Sequence, residues 1–462
     1  METKKLLFGM ASIMALLCAC ENGSEISIQE ELETKPIIET KKLSFDTEKL
    51  SPSDAQTVAG LYNLRSDTRS DETKTVKNVI TINDKDGEPA IYAVNFNEDG
   101  YILISATTKY YPILATVDHG QYTEDMPATG QMIVIEEMLD DISRTKNDEE
   151  PSCTRALWNK YIDGGKIDAF SRASDNYQQA YNEWYNSQAY GDFRIIKLSK
   201  CSGSLPANVY SEFVAAARTE DLWEGTEYSW ENTAYVVERT TDQAKTYGPF
   251  LTTTWGQDKQ YNTSGHDRLG CVTVAVGQLM RFFRQPTNFD WNNMPDKLGE
   301  GQSAPALTNF LSQLRGELGV NEKGGANIGD ASRVLKSYGY NITQSNHVES
   351  SVCTYLLNKR KPIYARGESN DAGGHAWIID GVYQHVVNVS YTLYRLSDVW
   401  YPQFKYEKAE AASTYNNYSD FYSYHMNWGW NGDSNGWYID SNSHPQGQPD
   451  SCLLYTSPSP RD

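Results

Sequence analysis

The chain has 462 residues, of which 39% are hydrophobic and 22% charged, a globular composition with room for two or three domains. Lys and Arg number 41 against 61 Asp and Glu, giving a net charge of −20, and no basic cluster interrupts the acidic surplus. Such a chain has little to offer a phosphate backbone, so nucleic acid is disfavoured as a partner.

Met1 to Lys5 carries two lysines, a mainly apolar run of twelve residues follows from Leu6 to Leu17, and Cys18-Ala19-Cys20 closes the segment. Twelve residues are too few to cross a bilayer core of about 30 Å, and the layout is that of an export signal. Leu17-Cys18-Ala19-Cys20 resembles a bacterial lipobox, with Cys20 the lipidated residue because the small Ala19 precedes it. The expectation is a signal peptide over residues 1–20 and an extracytoplasmic lipoprotein, at the cell surface or the periplasmic face of the outer membrane. It would meet the membrane through its lipid alone; an ordinary secretory signal is the alternative. Residues 21–50 are acidic and poor in aromatics, and read as a tether.

From residue 75 to 118 four short runs alternate in the manner of strands: 78–82, 90–96, 101–105 and 113–117. Asp84-Lys85-Asp86-Gly87 and Asn97-Glu98-Asp99-Gly100 between them are turn sequences, which predicts an antiparallel meander. A calcium loop at Asp84 lacks the rest of its ligand series. Helical spacing follows over 125–147 and 173–187, and the polar stretch Thr240–Thr246 reads as an exposed domain junction. The domains expected are 51–240 and 241–451.

Reactive and rigid residues concentrate beyond that junction. Gly270 precedes Cys271, which opens an apolar-periodic run to about Arg284, so the sulfur is expected at a helix N-terminus, where the macrodipole favours thiolate. A thiolate nucleophile needs an imidazole, and the imidazole needs an orienting group. His375 follows Gly373-Gly374 and leads into Ala376-Trp377-Ile378-Ile379, a strand-like run; His425 is the competitor. Asn427 has an amide oxygen suited to accept from the imidazole, and Trp428 would shield that bond. Gln257 is placed to donate to a developing oxyanion beside the Cys271 backbone N–H.

Trp255-Gly-Gln-x-x-x-Tyr-Asn262, Gly270-Cys-Val-x-x-Ala-x-x-Gln278, Gly373-Gly-His-Ala-x-x-Ile-Asp-Gly381 and His425-x-Asn-Trp-Gly-Trp-x-Gly432, in that order, resemble the streptopain family of secreted bacterial cysteine peptidases. Residues 90–120 resemble that family's inhibitory propeptide. The resemblance implies an α+β chain: a papain-like catalytic domain preceded by an α+β propeptide domain with an antiparallel sheet. It implies a zymogen of a cysteine endopeptidase, with Cys271 as nucleophile, His375 as base, Gln257 in the oxyanion hole, and Asn427 with Trp428 supporting the histidine. It further implies broad specificity, often with a hydrophobic residue two before the cut, and no cofactor or metal. The partners are then protein or peptide substrates and the chain's own propeptide as intramolecular inhibitor.

The 52 residues from His375 to Asn427 are many more than the type enzyme has, and the insertion 382–423 is expected to decorate the cleft. Asn431-Gly-Asp-Ser-Asn-Gly436 reads as a tight turn rather than a calcium site. The pairing of Cys153, Cys201 and Cys353 is left open by sequence. Cys452–Asp462 matches a transposase sequencing adapter read as coding DNA, and is expected to be foreign to the domain it follows. Two other readings stand beside the peptidase. One is a transglutaminase-like acyltransferase, which usually orients its histidine with Asp; the other is a catalytically inactive papain-fold surface lipoprotein that binds host or dietary protein.

Overall fold

In the computed structural model the described residues are 48–65, 74–124, 129–146, 154, 157–158, 161, 192–202, 205–217, 234–263, 265–266, 268–327, 329–345, 355–369, 373–396, 406–408, 414–440 and 454–460. Every described residue belongs to one unit, Lys41–Asp462, so Cys20 and the residues read as an export signal lie outside the described residues, as do the segment 173–187, Cys153 and Cys353.

Helix α1 (Pro52–Arg65) precedes four strands, β1 (Val76–Asn83), β2 (Pro89–Phe96), β3 (Tyr101–Ser105) and β4 (Ile113–Val117), which pair in sequence as the antiparallel meander the alternation predicts. Period two sorts the side chains of β2 between two cores. Tyr92, Val94 and Phe96 pack with Leu50 and Val58 on the α1 side, while Ile91 and Ala93 join Ile133, Val134, Met138 and Ile142 of helix α2 (Thr129–Thr145). The first hairpin turn is an Asx turn: Asp84 Oδ1 accepts from the backbone N–H groups of Asp86 and Glu88, at 2.9 and 3.0 Å, and the carboxylate pairs with Lys146 at the end of α2.

Strands β5 (Asp192–Lys197) and β6 (Tyr235–Tyr247) flank helix α3 (Ala207–Ala217). Helices α4 (Cys271–Phe283), α5 (Pro305–Glu317) and α6 (Asp330–Ser337) then pack Val276, Leu279, Leu307, Leu311, Val334 and Leu335 into a core of their own. The remaining strands are β7 (Tyr340–Ser345), β8 (Ile363–Ser369), β9 (Gly373–Leu396), β10 (Tyr406–Lys408), β11 (Thr414–Asn427), β12 (Gly436–Ile439) and β13 (Leu454–Pro460). Among the described residues one antiparallel sheet runs in the order β1-β2-β3-β4-β12-β11-β9-β8-β13-β7, with β6 and β10 also on β9 and β5 on β6. The meander joins the C-terminal strands through three residue pairs only, Ala115 with Tyr438, Thr116 with Trp437 and Val117 with Gly436.

Three segments that stand out in the sequence take these places. The stretch Thr240–Thr246, read as an exposed domain junction, lies inside β6, which pairs residue by residue with Val382–Tyr394 of β9, and Ala244 to Thr246 on it are exposed. Backbone pairing supplies there what the hydrophobe-poor side chains do not. The ends of the insertion 382–423 prolong β9 and β11 into one long hairpin, from Asn427 opposite Ile378 to Thr414 opposite Thr392, while residues 397–405 and 409–413 lie outside the described residues. Tyr- and Asn-rich sequence is compatible with a strand once the long β9 pairs with it residue by residue. Finally, residues 454–460 of the segment resembling adapter sequence form β13, paired with β7 and with β8, a placement that does not bear on the origin of that segment.

Candidate active site

Cys271 is the first residue of α4, as the spacing predicts. Gly270 before it has φ 90°, a conformation that favours glycine, and a Cβ there would lie 2.6 Å from the Gly324 carbonyl oxygen. The turn therefore brings the 321–325 loop against the helix start and leaves the half-buried sulfur at the N-terminal N–H groups.

His375 is the third residue of β9, beside Gly367 on β8, and is 4% exposed. Its ring lies among Trp377, Trp428 and Trp430, with the Trp430 centroid at 5.0 Å and Trp377 stacked at 6.3 Å. Nε2 is 3.0 Å from the backbone oxygen of Trp428. A carbonyl only accepts, so Nε2 carries a proton, and Nδ1 is the nitrogen left to the thiol. Burial by itself would raise the Cys271 pKa. The charge and hydrogen bond of His375, with the backbone N–H groups of Ala376 and Val272 on the sulfur, outweigh it and hold the thiol below its ordinary value.

The orienting contact therefore comes from the Trp428 backbone, a correction to the expectation that Asn427 would bond the imidazole directly. Asn427 points elsewhere: Nδ2 donates to the Thr253 carbonyl at 2.8 Å, and Oδ1 accepts from Gln278 Nε2 at 3.1 Å and from the Gly429 N–H at 3.3 Å. It spans the turn that presents the carbonyl. Trp428 is held from its other side, its N–H donating to Asn435 Oδ1 and its indole N–H to the Ser434 carbonyl. The Trp428 ring lies 6.4 Å from that of His375, and the Trp430 ring is nearer, at 5.0 Å.

Gln257 is half-buried in the loop after Trp255, whose N–H donates to Gln278 Oε1 and whose indole N–H donates to the Pro295 carbonyl. The competitor His425 is near the end of β11 and is engaged elsewhere: Nδ1 is 2.6 Å from Asp380 Oδ1. Asp380 is 1% exposed and also accepts from the Leu251 N–H. Among the described residues no group of three His, Cys, Asp or Glu side chains is arranged to hold a metal, and no helix is long and apolar enough to cross a membrane.

The first turn of α2 lies on this cluster. A Cβ on Gly130 would come within 2.9 Å of both His375 Cγ and Trp428 Cε3, so the helix backbone itself covers the imidazole. The next residue, Gln131, is 1% exposed and donates from Nε2 to the Tyr438 hydroxyl at 3.1 Å and to that of Tyr101. Tyr438 in turn donates to the Ser434 carbonyl. Sequence carried no signal for this contact beyond the helical spacing of α2.

The Peptidase C10 family model matches residues 287–438, a span that holds His375, Asn427 and Trp428, and the Spi protease inhibitor model matches residues 47–140, which hold Gly130 and Gln131. The chain carries a peptidase C10 domain and a Spi protease inhibitor domain. This is the streptopain family that the motifs resemble, with the inhibitor ahead of the peptidase in one chain. A solved structure of a Prevotella intermedia prointerpain A fragment, bearing a cysteine-to-alanine substitution, is 16% identical with a TM-score of 0.42, over 83% of this chain and 98% of that one. No curated protein matches the chain. The inhibitor domain's α2 is thus the element laid over His375.

Proposed function

We propose that the protein is the zymogen of a cysteine-type endopeptidase whose nucleophile is Cys271 and whose base is His375. The observation that carries this reading is the contact between the Cys271 thiol at the start of α4 and a buried imidazole whose other nitrogen is fixed on the Trp428 carbonyl. The thiolate attacks the scissile carbonyl, and the Cys271 N–H with the Gln257 amide receives the oxyanion. Imidazolium Nδ1–H protonates the departing amine, while the Trp428 carbonyl stabilises the ring's positive charge through Nε2–H. The same ring then takes a proton from the water that hydrolyses the acyl-enzyme. Asn427 supports the histidine through the turn rather than by touching it.

The inhibitor domain would hold the enzyme silent by covering His375, and self-processing would fall between about residues 200 and 250. The signal-like layout of residues 1–20 and Cys20 support the further reading of an extracytoplasmic protein on a lipid anchor; a lipid mass adduct that disappears in Cys20→Ala tests that part. For the chemistry, protein from residue 21 onward is incubated under reducing conditions with and without an epoxide thiol trap and read by mass spectrometry. The trap's mass on Cys271 and loss of an N-terminal portion, absent in Cys271→Ala, support the reading. An intact chain whose Cys271 stays unlabelled after added protease trims the inhibitor would instead favour a non-catalytic binding protein.

A further inference from the structure

Helix α4 is apolar from Val272 to Met280 except at Thr273 and Gln278. Thr273 returns its hydroxyl to the Leu269 carbonyl four residues back, at 2.9 Å, the usual local solution for a buried hydroxyl. Gln278 has no such solution. It is 0% exposed, seven residues after Cys271 and therefore two turns along the same face. A buried primary amide costs stability unless both ends are bonded, and here each end reaches a different segment. Oε1 accepts from the Trp255 N–H at 3.1 Å; Nε2 donates to Asn427 Oδ1 at 3.1 Å.

Asn427 completes a closed circuit. Its Nδ2 donates to the Thr253 carbonyl at 2.8 Å, so the two amides together hold the backbone on both sides of Thr254, at the Thr253 carbonyl and the Trp255 N–H. From that stretch the chain runs two residues to Gln257. From Asn427 it runs one residue to the carbonyl that holds His375. The helix bearing the nucleophile, the loop bearing the oxyanion donor and the strand end bearing the histidine's partner thus meet at one side chain.

We propose that Gln278 is a positioning residue for the reaction: its amide sets the distance between the Cys271 helix, the Gln257 loop and the Trp428 carbonyl, so that thiol and imidazole meet in register. The inference rests on the cysteine-peptidase reading of the same site. Gln278 touches no reacting atom. Its effect reaches Cys271 only through the placement of His375, the group that favours thiolate there. A purely structural role would lower stability and leave thiolate formation unchanged.

The test is a thiolate titration by ultraviolet absorbance on the full chain, each variant read as the difference from its own Cys271→Ala partner, so that no reagent has to reach a covered site. Gln278→Met keeps the volume and removes both hydrogen bonds. Gln278→Asn keeps an amide one methylene short and serves if the first variant folds poorly. Leu307→Ala, in the same core but outside the circuit, supplies a comparable loss of Tm. The expected result is an upward move of the Cys271 titration by about one pH unit or more in Gln278→Met, roughly a tenfold loss of thiolate at a given pH on the acid limb. A smaller move follows in Gln278→Asn and none in Leu307→Ala. Gln278 variants that titrate like wild type, with Tm lowered as in Leu307→Ala, overturn the proposal and leave the peptidase reading intact. A wild-type chain with no depressed thiol overturns both.

Discussion

At Cys271 two tendencies oppose one another. Removal from water disfavours the thiolate, whereas the imidazole and two backbone N–H groups favour it, and the second set wins. Taking away the imidazole should reverse the balance. In His375→Ala the Cys271 titration is expected to rise above that of an ordinary thiol, because burial then acts with only the backbone N–H groups against it; a titration still below the ordinary value would contradict this account. His425→Ala is expected to differ in kind. It removes the partner of a nearly inaccessible Asp380 carboxylate, and an unsatisfied buried acceptor costs about 1–3 kcal/mol. The measurement is Tm beside peptidase activity, with Tm falling and much of the activity surviving, and the opposite ranking of the two histidines would sink the assignment of the base.

The decisive element is α2, whose first turn covers His375 and whose later turns anchor it in the core beneath the meander. Gly130 has to be glycine for the helix backbone to come so close. Gly130→Ala is therefore expected to lift α2 from the imidazole, read as earlier self-processing of the full chain and faster epoxide labelling of Cys271. Farther along the helix, burial raises the Asp141 carboxyl to about 6 despite Arg144 at 2.9 Å and the Tyr110 hydroxyl at 3.2 Å, with Asp140 adding to the rise. The folded form holds this proton more tightly than the unfolded chain, whose value is 3.8. Between those values the folded state binds more protons, so Asp141 costs stability above pH 6 and the cost is relieved as pH falls toward 4. Asp141→Asn should flatten that slope in denaturant titrations at pH 5 and pH 7. An unchanged slope would place its origin elsewhere.

Across the whole molecule, inhibitor and peptidase are joined less by backbone than by a shared interior. Only three residue pairs link β4 to β12, but one hydrophobic core contains Ile91, Leu103 and Leu114 of the meander together with Ile379, Val387 and Tyr438 of the peptidase strands. Unfolding of the full chain is therefore expected to show a single main calorimetric transition covering both domains, and two well-separated transitions would contradict the shared core. Loss of the inhibitor would uncover the β12 edge and that core face together, so the processed enzyme should unfold at a lower temperature than its precursor.

Much of this was written in local chemistry. Alternation and Gly-containing turns specify the meander, because period two and turn geometry are properties of a few consecutive residues. Gly270, Cys271 and the apolar spacing after them specify a helix with a thiol at its start for the same reason. The Gly-Gly-His-Ala run likewise announces a histidine at a strand start. What the chain order conceals is which groups meet across it. The Trp428 carbonyl replaces the Asn427 side chain at His375 because main-chain atoms are the same in every residue and leave no mark on composition. Gln278 did leave a mark, one amide in an apolar helix, but its partners are 23 and 149 residues away and only folding brings them to it. The covering of His375 by Gly130 is likewise decided by two elements whose docking depends on a jointly buried core, a property no single segment possesses.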